Sequence, residues 1–318
     1  MKNKLIKTLK ISLPIAIGVY LTWYFVSNST ETEKEYFLKS LSEANYGWVL
    51  AALIIAFCSH LSRAYRWKYL LETLDLKPKL SLMYHSVMIG YIINLTIPRS
   101  GELARAAYFS RYQKTKSDQI FGTIVIERVI DLIMFGLVFF IAFLFQADQD
   151  KFNELRQISN SSLNPYLLPS LLIFGIIFIG ILIGVKKVRV KVIDFLKGII
   201  QGATAILRLK NTIGFLIHTF FIWACYISML WITALALPDI ENIIINAVFA
   251  CFIAGTIAIG ATPGGIGLYP IMVASTLIEL YGYDGQVAKS FGMLMWSSQT
   301  IFMILLGIIS LIAIKKEN

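Results

Sequence analysis

The chain has 318 residues, 57% of them hydrophobic and 15% charged, with a mean hydropathy of +0.70 and a net charge of +10. Soluble domains carry about 45–50% apolar and about 25% charged residues, so this composition excludes a soluble globular protein. The positive balance does not mark a nucleic-acid binder, because the basic residues lie between apolar runs, where they act as topology signals.

Taken in chain order, Lys2, Lys4, Lys7 and Lys10 precede a first apolar segment at 11–27. The following "WYFVSNST" offers no small-x-small cleavage site, so a retained first helix is expected and not a removed signal peptide. Further apolar segments at 47–62, 80–97, 121–145, 166–185, 213–237, 243–261 and 290–314 have lengths that suit a bilayer core. Two shorter stretches, 98–110 and 264–281, each begin at a proline or glycine cluster and read as broken or re-entrant segments. The fold class expected is therefore all-α: one polytopic membrane domain over 1–318, with about eight transmembrane helices and two broken segments.

The segments 1–10, 63–79, 111–119, 186–212 and the C-terminal lysines hold 21 of the 29 lysines and arginines. Under the positive-inside rule these are the cytoplasmic stretches, which puts both termini in the cytoplasm of an inner, plasma-membrane protein. Segment 80–97 must then enter and return, turning at Pro98, and 243–261 must do the same at Pro263. The first half (about 1–150) runs up, down, up-and-back, up. The second (about 160–318) runs down, up, down-and-back, down, giving an inverted-topology repeat. The basic stretch 186–212 interleaves lysines with Val192, Phe195, Leu196, Ile199, Ile206 and Leu207. It reads either as an interfacial amphipathic helix facing anionic lipid or, as favoured here, as a plain cytoplasmic linker between the halves.

Cys58, Cys225 and Cys251 lie in apolar segments at unrelated spacings and read as small hydrophobes. His60, His85 and His218 are as scattered, and no metal motif joins them. No nucleophile–base pair and no nucleotide loop is visible, so neither catalytic residues nor a cofactor or metal is expected.

Charges at membrane depth are rare and usually face a protein interior or a wet cavity. The sequence places six in two clusters: Arg99, Glu102 and Arg105 after Pro98, and Glu127, Arg128 and Asp131 in the fourth long segment. Spacings of three put the first group along one side of a short helix, and Glu127 and Asp131, four apart, share a face. Counted from Gln119 at about 1.5 Å per residue, Glu127 and Asp131 lie roughly 12 and 18 Å into the bilayer. Mutual pairing could simply pin the broken helix to the long one. Alternatively, a helix N-terminus after Pro98 with two arginines forms an anion site suited to a lipid phosphate. The second break, "GATPGGIGLYP", carries Pro263, Gly264, Gly265 and Gly267 and no charge, as a sharp reversal requires.

The motifs "IPRSGELARAAY", "ERVID" and "PGGIG" resemble the transmembrane, flippase-like region of bacterial lysylphosphatidylglycerol synthases, the multiple peptide resistance factor family, and its stand-alone relatives. Pro98, Arg99, Gly101, Glu102 and Arg105 match the first motif, Glu127, Arg128 and Asp131 the second, and Pro263, Gly264, Gly265 and Gly267 the third. The resemblance implies a protein that moves phospholipids, aminoacylated ones among them, between leaflets. The lysyl-transferring domain of the full synthases is not among these residues, so lysyl transfer is not expected. Many relatives have a glutamate where this chain has Pro270, preceded by Tyr269, which separates the chain from a dedicated lysyl-lipid carrier. The alternatives are a membrane-embedded lipid-modifying transferase and a scaffold for a separately encoded synthase or glycosyltransferase.

Overall fold

A computed structural model of the chain describes residues 16, 18, 20, 23, 27, 30–97, 100–146 and 186–316. The expected segment 11–27 falls mostly, and 166–185 wholly, outside them, as do Pro98 and Arg99. Among the described residues all regular structure is helical: α1 (Glu31–Glu43), α2 (Tyr46–Leu71), α3 (Leu80–Thr96), α4 (Gly101–Gln113), α5 (Ser117–Gln146), α6 (Lys186–Ile206), α7 (Thr212–Ala234), α8 (Ile245–Ala261), α9 (Leu268–Tyr281) and α10 (Gly285–Lys316). Four helices are long and apolar enough to cross a membrane, over Tyr46–Leu74, Ser117–Phe145, Thr212–Ala234 and Gly285–Ala313. This is an all-helical polytopic membrane protein. Its chain forms two compact units, one of residues 1–124 with 210–318, the other of residues 125–209.

In the larger unit, α2 starts where the Asn45 side chain accepts a hydrogen bond from Gly47 N at 3.1 Å. It continues past the expected end at residue 62 to Leu71, which takes Arg63 and Arg66 out of the expected cytoplasmic loop and into the helix. The reason is periodic burial: Ser59, Ser62, Arg63, Arg66 and Leu70 recur at helical spacing and are all buried. A 3₁₀ turn (Glu72–Leu74) then ends at Asp75 in left-handed backbone, φ 58°. Helix α7, capped by Asn211 accepting from Gly214 N at 2.8 Å, packs along α2.

The two expected breaks are both present and built alike. Helix α3, 17 residues long, ends at Ile97 in extended backbone (φ −126°), and α8, also 17, ends at Thr262 (φ −122°). Each of these residues precedes a proline, whose ring disfavours helical backbone in its predecessor. At about 1.5 Å per residue either helix covers roughly 26 Å, short of a core about 30 Å thick. Helices α4 and α9 then return against α3 and α8 respectively. From α2 to α5 the helices have 26, 17, 13 and 30 residues, and from α7 to α10 they have 23, 17, 14 and 32.

The first hairpin is close because two glycines cross. A side chain at Gly101 would strike the Gly90 carbonyl oxygen, and one at Gly90 would come within 3.0 Å of the Gly101 oxygen. The second hairpin turns through Gly264, Gly265 and Gly267 at φ 58°, 74° and 71°, backbone that L-residues with side chains rarely adopt. The tips of the two hairpins meet: Gly264 lies directly against the Leu95 side chain. Helix α10 backs both, with Gly307 against Ile92 of α3 and Gly292 against Pro270 of α9. An apolar core of Cys251, Val273, Leu277, Phe291 and Met229 joins α7 through α10. Tyr36 of α1 donates to Asp239 Oδ2 at 3.0 Å; burial first, then this carboxylate, raises its phenol above the usual range.

In the smaller unit, α6 approaches the middle of α5, where Gly202 lies on Val129, with 2.7 Å between a would-be Cβ and Val129 Cγ1.

Gly101→Ala should lower stability by about 1–3 kcal/mol, since the blocking atom is backbone and cannot yield. Gly122→Ala, at a helix position with open space around it, should be neutral or stabilising by up to about 1 kcal/mol. Thermal unfolding in one detergent checks both, and equal midpoints would contradict the crossing.

Candidate functional site

Helix α4 places the first charged motif. Its opening N–H, on Gly101, donates to Asn94 Oδ1 of α3 at 2.8 Å, so this amide, expected to be free for an anion, already has a protein acceptor. Glu102, half-buried in the first turn, sits where the helix dipole favours negative charge. One turn on, Arg105 is 3% exposed, with its guanidinium 3.8 Å from the centroid of the Trp67 ring. Trp67 is itself fully buried: its indole N–H donates to Thr123 Oγ1 at 2.9 Å and its ring lies 4.7 Å from that of Phe109. A desolvated cation over an indole gains about 2 kcal/mol or more. A guanidinium near an aromatic ring keeps five N–H donors in a planar fork, the geometry by which arginine recognises phosphate. Pro98 and Arg99 lie outside the described residues.

Two further buried arginines belong to the same unit, and the sequence reading missed them by assigning them to a basic loop. Arg63 donates to the Tyr91 hydroxyl at 2.8 Å and lies 5.9 and 6.0 Å from the Tyr91 and Tyr226 ring centroids. Arg66, fully buried, donates to Thr219 Oγ1 at 3.2 Å and lies 5.4 Å from the Phe215 ring. Beside them, Ser62 Oγ and His218 Nδ1 are 2.8 Å apart. The 59–62–63–66 spacing of polar residues was the available signal: it is one face of a continuing helix, not a loop.

The second break carries no charge. Pro263 and Gly265 are buried, and the Trp296 indole N–H donates to the Gly264 carbonyl at 2.9 Å. Tyr269, just before Pro270, packs its ring on Gly255 and is buried. This tip offers close backbone packing and one held carbonyl.

The second motif lies in the smaller unit. Glu127 is fully buried, and Arg128 Nη1 pairs with Asp131 Oδ2 at 3.5 Å, one turn apart. Because α5 begins at Ser117, two residues before the expected start, Glu127 and Asp131 lie about 15 and 21 Å along the helix. Thus Glu102 and Arg105 share α4, and Arg128 and Asp131 pair on α5.

The family model for the lysylphosphatidylglycerol synthase TM region matches residues 11–307. The UPF0104 membrane protein of Methanocaldococcus jannaschii is 25% identical over 308 residues, covering 88% of each chain. No solved structure matches.

Trp67→Phe keeps a ring under Arg105 but removes the bond to Thr123 and should cost about 1 kcal/mol. Trp67→Leu removes the ring as well and should cost about 3 kcal/mol or more. Unfolding midpoints of the purified variants check this; equal losses would mean that the indole face does not hold Arg105.

Proposed function

The chain belongs to the lysylphosphatidylglycerol synthase TM-region family, and on that premise we propose that it moves phospholipids between membrane leaflets, with Arg105 binding the lipid phosphate. One observation carries this reading: Arg105, 3% exposed, has its guanidinium 3.8 Å from the centre of a buried indole, one turn into a helix that starts at a break within an apolar unit. Arginine keeps its charge when buried, ionisable groups within apolar helices mark binding sites and substrate paths, and a phosphodiester supplies the matching charge and geometry. Arg99, six residues earlier, is assigned to the same phosphate on its residue type and spacing. Glu102 offsets the cation when no lipid is bound and meets amine headgroups. Glu127 and Asp131 are assigned to meeting amine headgroups, and Arg128 to a lipid phosphate, on their chemistry alone, as ionisable groups in an apolar helix.

We read the matching helix lengths from α2 to α5 and from α7 to α10 as two repeats of inverted orientation, with the breaks near the membrane midplane as in other carriers. The distribution of lysine and arginine puts both termini on the cytoplasmic side of the plasma membrane. Lipid movement is favoured over lipid modification because the buried arginines, with their hydroxyl and aromatic partners, are groups suited to binding a phosphate.

The test is leaflet exchange of labelled phospholipids in proteoliposomes, with anionic, neutral and cationic headgroups, at equal amounts of folded protein. Wild type should exchange at least one class. Arg105→Ala should reduce exchange at least about tenfold, the equivalent of one charge-assisted hydrogen bond, with partial retention in Arg105→Lys. Absence of exchange by wild type for every headgroup, or conversion of the lipid seen by thin-layer chromatography, would overturn the proposal.

A further inference from the structure

Helix α6 has two faces with different neighbours. On one side Gly202 and Ile206 are buried, Gly202 against Val129 of α5. On the opposite side Val190, Ile193 and Ile200 are exposed, followed just past the helix end by Leu207. Ile200 is 62% and Leu207 76% exposed. At 100° per residue, positions 190, 193, 197, 200, 204 and 207 fall within one stripe about 100° wide, and the packed positions lie across the helix from it. Lys197 and Thr204, in the same stripe, are also exposed, as is Arg208 beside it. The outer face is therefore apolar with basic residues set into it.

By length, 21 residues or about 32 Å, α6 could cross a bilayer. By composition it cannot: residues 186–210 contain Lys186, Lys187, Arg189, Lys191, Lys197, Arg208 and Lys210 against one acid, Asp194. A strongly amphipathic helix with a basic surplus lies in the plane of the interface, apolar side chains in the acyl boundary and cations among the headgroups. A neutral protein partner would cover the isoleucines but leave the cations without a counterpart. An anionic lipid surface satisfies both.

We infer that α6 is a membrane-surface helix that recognises anionic phospholipid headgroups through its Val190–Ile193–Lys197–Ile200–Leu207 face. This goes beyond the favoured sequence reading of a plain linker. It does not depend on lipid transport, because a protein of this architecture could use such a helix whatever its interior carries. The cationic surplus ties the helix to the leaflet richest in anionic lipid, and its seat on Val129 passes that attachment to the middle of α5.

The experiment uses the full chain in nanodiscs of phosphatidylcholine alone or with about 30% phosphatidylglycerol. Cys58, Cys225 and Cys251 are replaced by alanine, and Ile200→Cys is allowed to react with a neutral polyethylene-glycol maleimide. The reaction should be about tenfold slower with phosphatidylglycerol present. Glu35→Cys, on the exposed side of α1, should show no difference. Changing Lys186, Lys187, Arg189 and Lys191 to glutamine should abolish the lipid effect at Ile200→Cys. Equal rates in the two lipids, fast or slow, overturn the inference. So does a disulfide between two copies at Ile200→Cys, which would assign the face to a second chain. Should the cysteine-free variant not fold, hydrogen exchange over residues 197–207 of the unaltered chain in the same nanodiscs decides, and protection that ignores phosphatidylglycerol overturns it equally.

Discussion

A peptide group that leaves a helix inside a bilayer has no water to bond to, and the larger unit is arranged around meeting that demand at two places. Pro98 and Pro263 push Ile97 and Thr262 into extended backbone and stop α3 and α8 after 17 residues each. The amides and carbonyls thereby released are taken up by side chains from neighbouring elements. Asn94 accepts from Gly101 N, and the Trp296 indole donates to the Gly264 carbonyl. The tips shield one another, Leu95 on Gly264, while α10 runs behind both hairpins with glycines at the crossings. Small residues let these backbones approach closely, which is how helices gain packing energy where no hydrophobic effect operates.

The two hairpins divide the chemistry unequally. The first adjoins a polar interior in which Arg63, Arg66 and Arg105 are held by aromatic faces and hydroxyls from α2, α3 and α7. The second turns through glycines at positive φ and packs an apolar core on α7 and α10. Arginine cannot shed its proton to escape burial, so these three positions are fixed charges whatever the pH. Aromatic rings beside the guanidinium groups stabilise these cations, and the Tyr91 and Thr219 hydroxyls accept from Arg63 and Arg66.

Much of this was legible in the sequence for identifiable reasons. Prolines inside apolar runs announced both breaks, and runs of roughly bilayer length announced the long helices. What failed was the rule that a helix ends where charge begins. It stopped α2 at 62, although Ser59, Ser62, Arg63 and Arg66 continue the helical period and are all buried. An apolarity window cannot tell a solvated lysine from a stacked arginine; periodicity can. The partner of the Gly101 amide was hidden for another reason. Asn94 precedes it by seven residues across a turn, and only the crossing of Gly90 and Gly101 brings the two together. For α6 the composition left two readings; that the helix buries Gly202 and exposes Ile200 is visible only in the structure.

The same contacts limit how such a carrier could open. On the transport reading, a lipid phosphate must reach Arg105, which is 3% exposed, so elements around α4 have to separate. The α3–α4 hairpin resists internal change, because Gly90 meets Gly101 backbone to backbone and Asn94 bridges the pair. It should therefore move as one piece. The second tip is tied to α10 by the Trp296 hydrogen bond. Between the tips, by contrast, the contact of Leu95 with Gly264 is a methyl group on a glycine, with dispersion alone to hold it. On the transport reading the two hairpin tips are where such a carrier would part, because the hydrogen bonds of Asn94 and Trp296 stay on their own sides of that contact.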